Sequence, residues 1–106
     1  MMIEIGDVIA LLGGELKDGS EQSLRFRRFI EQDKWPIDQI KEWLDECVRG
    51  CSGPHDPYNR AFQDLVVSLG KRLGFEISYG RYAGKSGEEN YDGLWKRENG
   101  DVIVLE

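Results

Sequence analysis

The sequence predicts an α+β fold: three or four helices followed by a three-stranded, mostly antiparallel sheet. Two observations carry this. Apolar residues recur at helical spacing through the first 73 positions, in segments that end at glycine or proline. From Leu73 onward the pattern changes to three short β-type runs separated by Gly-rich turns, with a strong hairpin signal at Arg97-Glu98-Asn99-Gly100-Asp101.

The elements follow in order. Ile3, Ile5, Val8, Ile9, Leu11 and Leu12 before Gly13-Gly14 predict a short helix from Ile5 or Asp7 to Leu12; the β-branched residues leave a first strand open. Ser20 is the N-cap of a second helix that runs to about Gln32, with Phe26, Phe29 and Ile30 as its apolar stripe and Gln22 at the edge. Glu21, Glu31 and Asp33 among Arg25, Arg27 and Arg28 favour a solvated face over a phosphate-facing one. Trp35-Pro36 opens a third helix with Ile37, Ile40, Leu44, Cys47 and Val48 on its stripe and Trp43 beside it. Lys41, Glu42, Asp45 and Glu46 form its wet face, and Gly50 stops it.

Residues 50–57 are the clearest linker and divide the chain into an N-terminal helical lobe, 1–53, and a helix plus three-stranded sheet, 54–106. Asp56 caps the next helix, Pro57 to Leu73, whose apolar face is Phe62, Leu65, Val66, Leu69 and Leu73. At roughly 100° per residue, Gln63 flanks that face and Asp64 points nearly away from it. The strand candidates are Phe75–Tyr82, Asn90–Arg97 and Asp101–Glu106. Gly84, Lys85, Ser86 and Gly87 lie between the first two but lack P-loop spacing and open no helix.

Two carboxylates sit awkwardly in these strands. Asp92 lies in an aromatic and apolar run, and Glu106 follows four apolar residues. Carboxylates are rare in strands that look buried, and a shared metal ion is the natural reason for two. The hairpin has two solutions. A two-residue Asn99-Gly100 turn points Asp92 and Glu106 to opposite faces. A three-residue loop, Glu98-Asn99-Gly100, pairs Arg97 with Asp101 and sets Asp92 opposite Glu106, with Cβ atoms roughly 4.5–5.5 Å apart. That close, bare carboxylates repel unless a cation or proton lies between them.

With 106 residues, a 40% hydrophobic and 32% charged composition and a net charge of −6, the chain reads as one soluble domain. The acidic balance argues against a general charge-driven nucleic-acid binder but leaves room for a local basic groove around a metal. No run reaches transmembrane length and no signal-peptide pattern opens the chain, so a cytoplasmic location is the default. Cys47-x3-Cys51-x3-His55 offers three zinc ligands, one short of a structural site and at no strong zinc spacing; two reduced thiols are the favoured reading.

Arg60-Ala61-Phe62-Gln63-Asp64, Leu73-Gly74-Phe75-Glu76, Tyr79-Gly80-Arg81-Tyr82 and Tyr91-Asp92-Gly93-Leu94-Trp95, followed by a hydrophobic strand ending in Glu106, carry a resemblance over about 58–106. Their order resembles the PD-(D/E)XK nuclease superfamily, the restriction-endonuclease-like fold. The resemblance implies a partial nuclease core in which Asp92 and Glu106 bind a divalent metal, usually Mg²⁺, and Gln63 or Asp64 on the preceding helix assists. The activity it implies is metal-dependent hydrolysis of DNA phosphodiesters by an endonuclease-like enzyme. The chain departs from that pattern in lacking the lysine of Glu-x-Lys and the later core elements. The expectation is therefore a truncated N-terminal part of a longer nuclease-like protein, weak or inactive by itself. The alternative is a non-catalytic module that binds a protein partner or a second copy of itself, with Trp35, Trp43 and Trp95 as anchors. A zinc adaptor built on Cys47, Cys51 and His55 is the third reading.

Overall fold

The computed structural model describes residues 3–53, 56–83 and 91–105. Among them four helices, α1 Ile5–Leu11, α2 Glu21–Ile30, α3 Ile37–Gly50 and α4 Pro57–Arg72, precede three strands, β1 Glu76–Tyr79, β2 Gly93–Lys96 and β3 Val102–Leu105. The sheet order is β1-β2-β3 with both pairs antiparallel, the α+β arrangement the sequence predicts.

The first segment is a helix, not a strand. Ile5, Val8 and Ile9 are buried at helical spacing. α1 has no side-chain cap of its own. Glu46 of α3 supplies one: its Oε1 accepts from Ile5 N–H at 2.7 Å and its Oε2 from Gly6 N–H at 2.8 Å. A carboxylate there satisfies unpaired first-turn donors at the positive end of the helix dipole. Glu46 thus leaves the wet face to which its polarity assigned it.

Ser20 caps α2 by accepting from Ser23 N–H at 3.2 Å, and Asp56 caps α4 by accepting from Tyr58 N–H at 2.8 Å. The buried face of α3 is rotated from the expected stripe. Gln39, Ile40, Trp43 and Cys47 face inward, while Ile37 and Val48 are 52% and 66% exposed. The chain around Ile3 lies across that face and needs polar partners there. Trp43 Nε1 and Gln39 Nε2 both donate to Ile3 O, at 2.6 and 3.2 Å, so the largest side chain is buried with its N–H satisfied.

α4 packs against α2, α3, β1 and β2, so its buried arc is wider than one apolar stripe. Ala61, Asp64, Leu65, Val67, Ser68 and Gly70 are all buried, whereas Leu73 is exposed. One core cluster joins Ile5, Phe26, Ile30, Ile40 and Trp43 to Ala61 and Leu65 and so continues across the 53/54 division. Trp43 is fully buried within it, which removes it as an interface anchor. Trp35 packs edge-on to Trp43 with ring centroids 5.2 Å apart. Trp95 stacks on Phe75 at 5.5 Å and donates to Val67 O at 2.9 Å.

The hairpin takes the three-residue loop. Arg97 N–H donates to Asp101 O at 2.9 Å, Gly100 N–H to Arg97 O at 3.0 Å, and Gly100 has φ +93°, a conformation only glycine adopts cheaply. The β2–β3 ladder then runs from Lys96↔Val102 to Gly93↔Leu105. β3 is an edge strand and is not buried despite its four apolar residues: Val102, Ile103 and Val104 are 48%, 40% and 54% exposed.

Candidate functional site

Asp92 lies at the end of the sheet, one residue before β2. Its backbone ties three elements together. Asp92 N–H donates to Leu105 O at 2.8 Å, and Asp92 O accepts from Gly80 N–H at 2.9 Å, continuing both ladders past their last paired residues. The approach at Gly80 is so close that a Cβ there would overlap the Tyr91 carbonyl oxygen. Gly80 is required by that crossing.

Gln63 reaches this point from α4. Its Nε2 donates to Arg81 O at 3.2 Å and to Asp92 O at 3.3 Å, clamping the ends of β1 and β2 with one amide. Gln63 and half-buried Asp92 line a groove of about 290 Å³ with Phe62, Val66, Val67, Val104 and Leu105. The fold therefore brings together Gln63 and Asp92. Glu106 and His55 lie outside the described residues.

The acidic residue beside Gln63 has a different place from the one the helical count assigned. Asp64 is completely buried, and its Oδ2 accepts from Arg27 Nε at 3.1 Å and from the Tyr82 hydroxyl. Arg27, expected on a solvated face, keeps only 15% of its side chain exposed. Its guanidinium lies 4.5 Å from the Tyr79 ring centroid and 5.1 Å from that of Tyr82, and its Nη2 donates to Gly80 O at 3.4 Å. Arg60 adds a second guanidinium 5.3 Å from the Tyr82 ring. Tyr79 donates to Glu31 Oε2 at 2.8 Å. Asp18 closes the rim, accepting from Tyr82 N–H at 2.7 Å and Ala83 N–H at 3.0 Å.

Electrostatics follow from enclosure. Burial pushes the Asp64 carboxyl up to about 6, against the opposing pull of the Arg27 charge and the Tyr82 hydroxyl. Burial and the Asp64 charge raise Tyr82, and burial with the Glu31 hydrogen bond raises Tyr79, so both phenols stay neutral donors. The Oδ1 of Asp64 is buried without a hydrogen-bond partner among the described residues.

Two places bear on the expected metal ligands. Cys47 is buried and its thiol is pushed up to about 12, first by burial and then by Glu46. That opposes the thiolate form a zinc ligand requires. Cys51 is exposed, and both thiols are free. Among the described residues no three of His, Cys, Asp and Glu converge. Asp92 is the one acidic residue that lines the groove beside Gln63.

No family model, curated protein or solved structure matches this chain.

Sequence reasoning missed the Arg27–Asp64–Tyr82 cluster. One signal was present. A carboxylate next to Leu65 on a helix rich in apolar residues, and a Tyr-Gly-Arg-Tyr run, could have suggested a buried acid held by a phenol and a guanidinium. A helix assumed to have one buried face could not accommodate it. No helix among the described residues is long and apolar enough to cross a membrane.

Proposed function

We propose that this chain forms the metal-binding end of a PD-(D/E)XK-type phosphodiesterase core. Asp92 and Glu106 are the carboxylates for a divalent cation, Mg²⁺ by preference, Gln63 is the helix-borne polar partner, and DNA is the substrate. The observation that carries this reading is the meeting of Gln63 and Asp92 at the mouth of one groove at the sheet end. Mg²⁺ is commonly held by one or two carboxylates together with water and substrate phosphate, so a single described carboxylate at an open groove is a suitable anchor. When bound, the cation would lower the pKa of a water nucleophile and offset charge on the phosphodiester. The protein's part is positional. Gln63 fixes the backbone at Arg81 and Asp92. A cation also offsets the repulsion between a chain of net charge −6 and a polyanion.

The experiment is a Mn²⁺ or Mg²⁺ titration of wild type and Asp92→Ala followed by amide chemical shifts. Saturable shifts centred on Asp92 and Glu106 in wild type, lost in a variant of unchanged helical content, support the site. Absence of saturable shifts in wild type overturns it.

A second reading, a non-catalytic assembly module, is favoured by the exposed apolar edge strand β3. Sedimentation that shows a concentration-dependent dimer in wild type and a monomer in Ile103→Lys supports it. A wild-type monomer throughout excludes self-association.

A further inference from the structure

We infer that Arg27, held by Asp64 and Tyr82, is a positioning residue for the Gly80–Asp92 backbone crossing; the inference rests on the reading of Asp92 as the site carboxylate. The route is short and made of hydrogen bonds. Arg27 Nε is fixed on Asp64 Oδ2 at 3.1 Å, and its Nη2 holds Gly80 O at 3.4 Å. Gly80 N–H in turn donates to Asp92 O at 2.9 Å. Arg27 thus grips one side of the Gly80 backbone while Asp92 takes the other.

Its own geometry is fixed from both sides. Asp64 is fully enclosed, so its charge has no solvent alternative to Arg27, and the Tyr79 and Tyr82 rings lie 4.5 and 5.1 Å from the guanidinium. Tyr82 is held independently, by Asp18 at its N–H and Asp64 at its hydroxyl. A planar, multi-donor guanidinium can satisfy Asp64 and Gly80 at once; an ammonium group, a compact charge on a flexible stem, cannot reproduce that fork. Gln63 grips the same crossing from α4, through Arg81 O and Asp92 O. Two helices, α2 and α4, therefore fix the backbone from which the Asp92 side chain departs.

The test compares wild type, Arg27→Lys and Tyr82→Phe in the metal-free protein by amide hydrogen exchange, and then titrates each with Mn²⁺. Arg27→Lys keeps the charge on Asp64 but loses the fork; Tyr82→Phe keeps Arg27 and removes one anchor of Asp64. The expected result is that exchange at Gly80 speeds by about tenfold or more in Arg27→Lys, the scale of one lost charge-assisted bond, while buried amides of α3 keep their protection. Tyr82→Phe gives a smaller change of the same pattern. Gly80 exchange that stays at the wild-type rate in both variants, or that rises only in step with α3, overturns the inference. The Mn²⁺ arm separates it from the reading it rests on. Loosened Gly80 with no Mn²⁺ binding even in wild type overturns the metal site and leaves the positioning of the Gly80–Asp92 crossing standing. Mn²⁺ binding in wild type with equal affinity and unchanged Gly80 exchange in Arg27→Lys does the reverse.

Discussion

Arg27 and Asp64 form an ion pair that joins α2 to α4, with Nε and Oδ2 3.1 Å apart and the carboxylate shut off from solvent. The two residues lie 37 positions apart in sequence, and the pair sits where helices and sheet meet. Desolvating both charges is costly, and the Tyr82 hydroxyl and the flanking rings offset part of that cost.

Breaking the pair from one side should therefore be worse than removing it. Arg27→Met is expected to destabilise the fold by about 3–5 kcal/mol, because it strands the Asp64 charge. Arg27→Met combined with Asp64→Leu is expected to recover most of that loss. Urea midpoints of the two single variants and the double variant measure this directly; simple additivity of the single losses would show that the two side chains are not coupled.

Asp64 also gives stability a pH dependence of unusual sign. Its carboxyl is raised from 3.8 to about 6 in the folded state, so between those values the folded protein holds a proton that the unfolded chain has released. Its contribution is fully present below the unfolded value and is lost as pH rises through about 6, a difference of about 3 kcal/mol at 1.36 kcal/mol per unit. The stability of wild type relative to Asp64→Asn should fall between pH 4 and pH 7 by about that amount. Paired denaturation curves across this range check it, and a difference that rises with pH would mean that Arg27 dominates the carboxyl.

The cap that α3 lends to α1 makes a local prediction. Glu46→Ala removes the acceptor for the Ile5 and Gly6 N–H groups and is expected to cost about 1–2 kcal/mol. The loss should appear first as faster hydrogen exchange in α1, with α4 unaffected. Equal loosening of both helices would assign Glu46 a role in the whole core.

The helix order, both side-chain caps and the three-strand sheet were legible because each is written locally: Ser20 and Asp56 before apolar periodicity, and Asn99-Gly100 between β-type runs. The hairpin register was not, since two loop lengths satisfy the same residues and only the positive φ of Gly100 with the Arg97–Asp101 bond separates them. Gln63 was legible as a residue flanking the apolar face of α4. Asp64, Arg27 and Glu46 were not. Each is a charged residue whose partners lie on other elements, and a helical wheel that assumes one buried face assigns all three to water. Trp43 was set beside its stripe for a related reason: the chain at Ile3 that accepts its N–H belongs to another part of the sequence.

The clasp of Asp18 on Tyr82 and Ala83 closes loops of 64 and 65 residues, and Arg27 on Gly80 closes one of 53. Such closures repay their entropy only after the intervening helices have formed. The surroundings of Asp92 are thus expected to be assembled last. During synthesis, the α1–α2 connection must wait for most of the chain to emerge before its carboxylate finds its donors. A chaperone or protease that meets the nascent protein would find helices ahead of an unfinished groove.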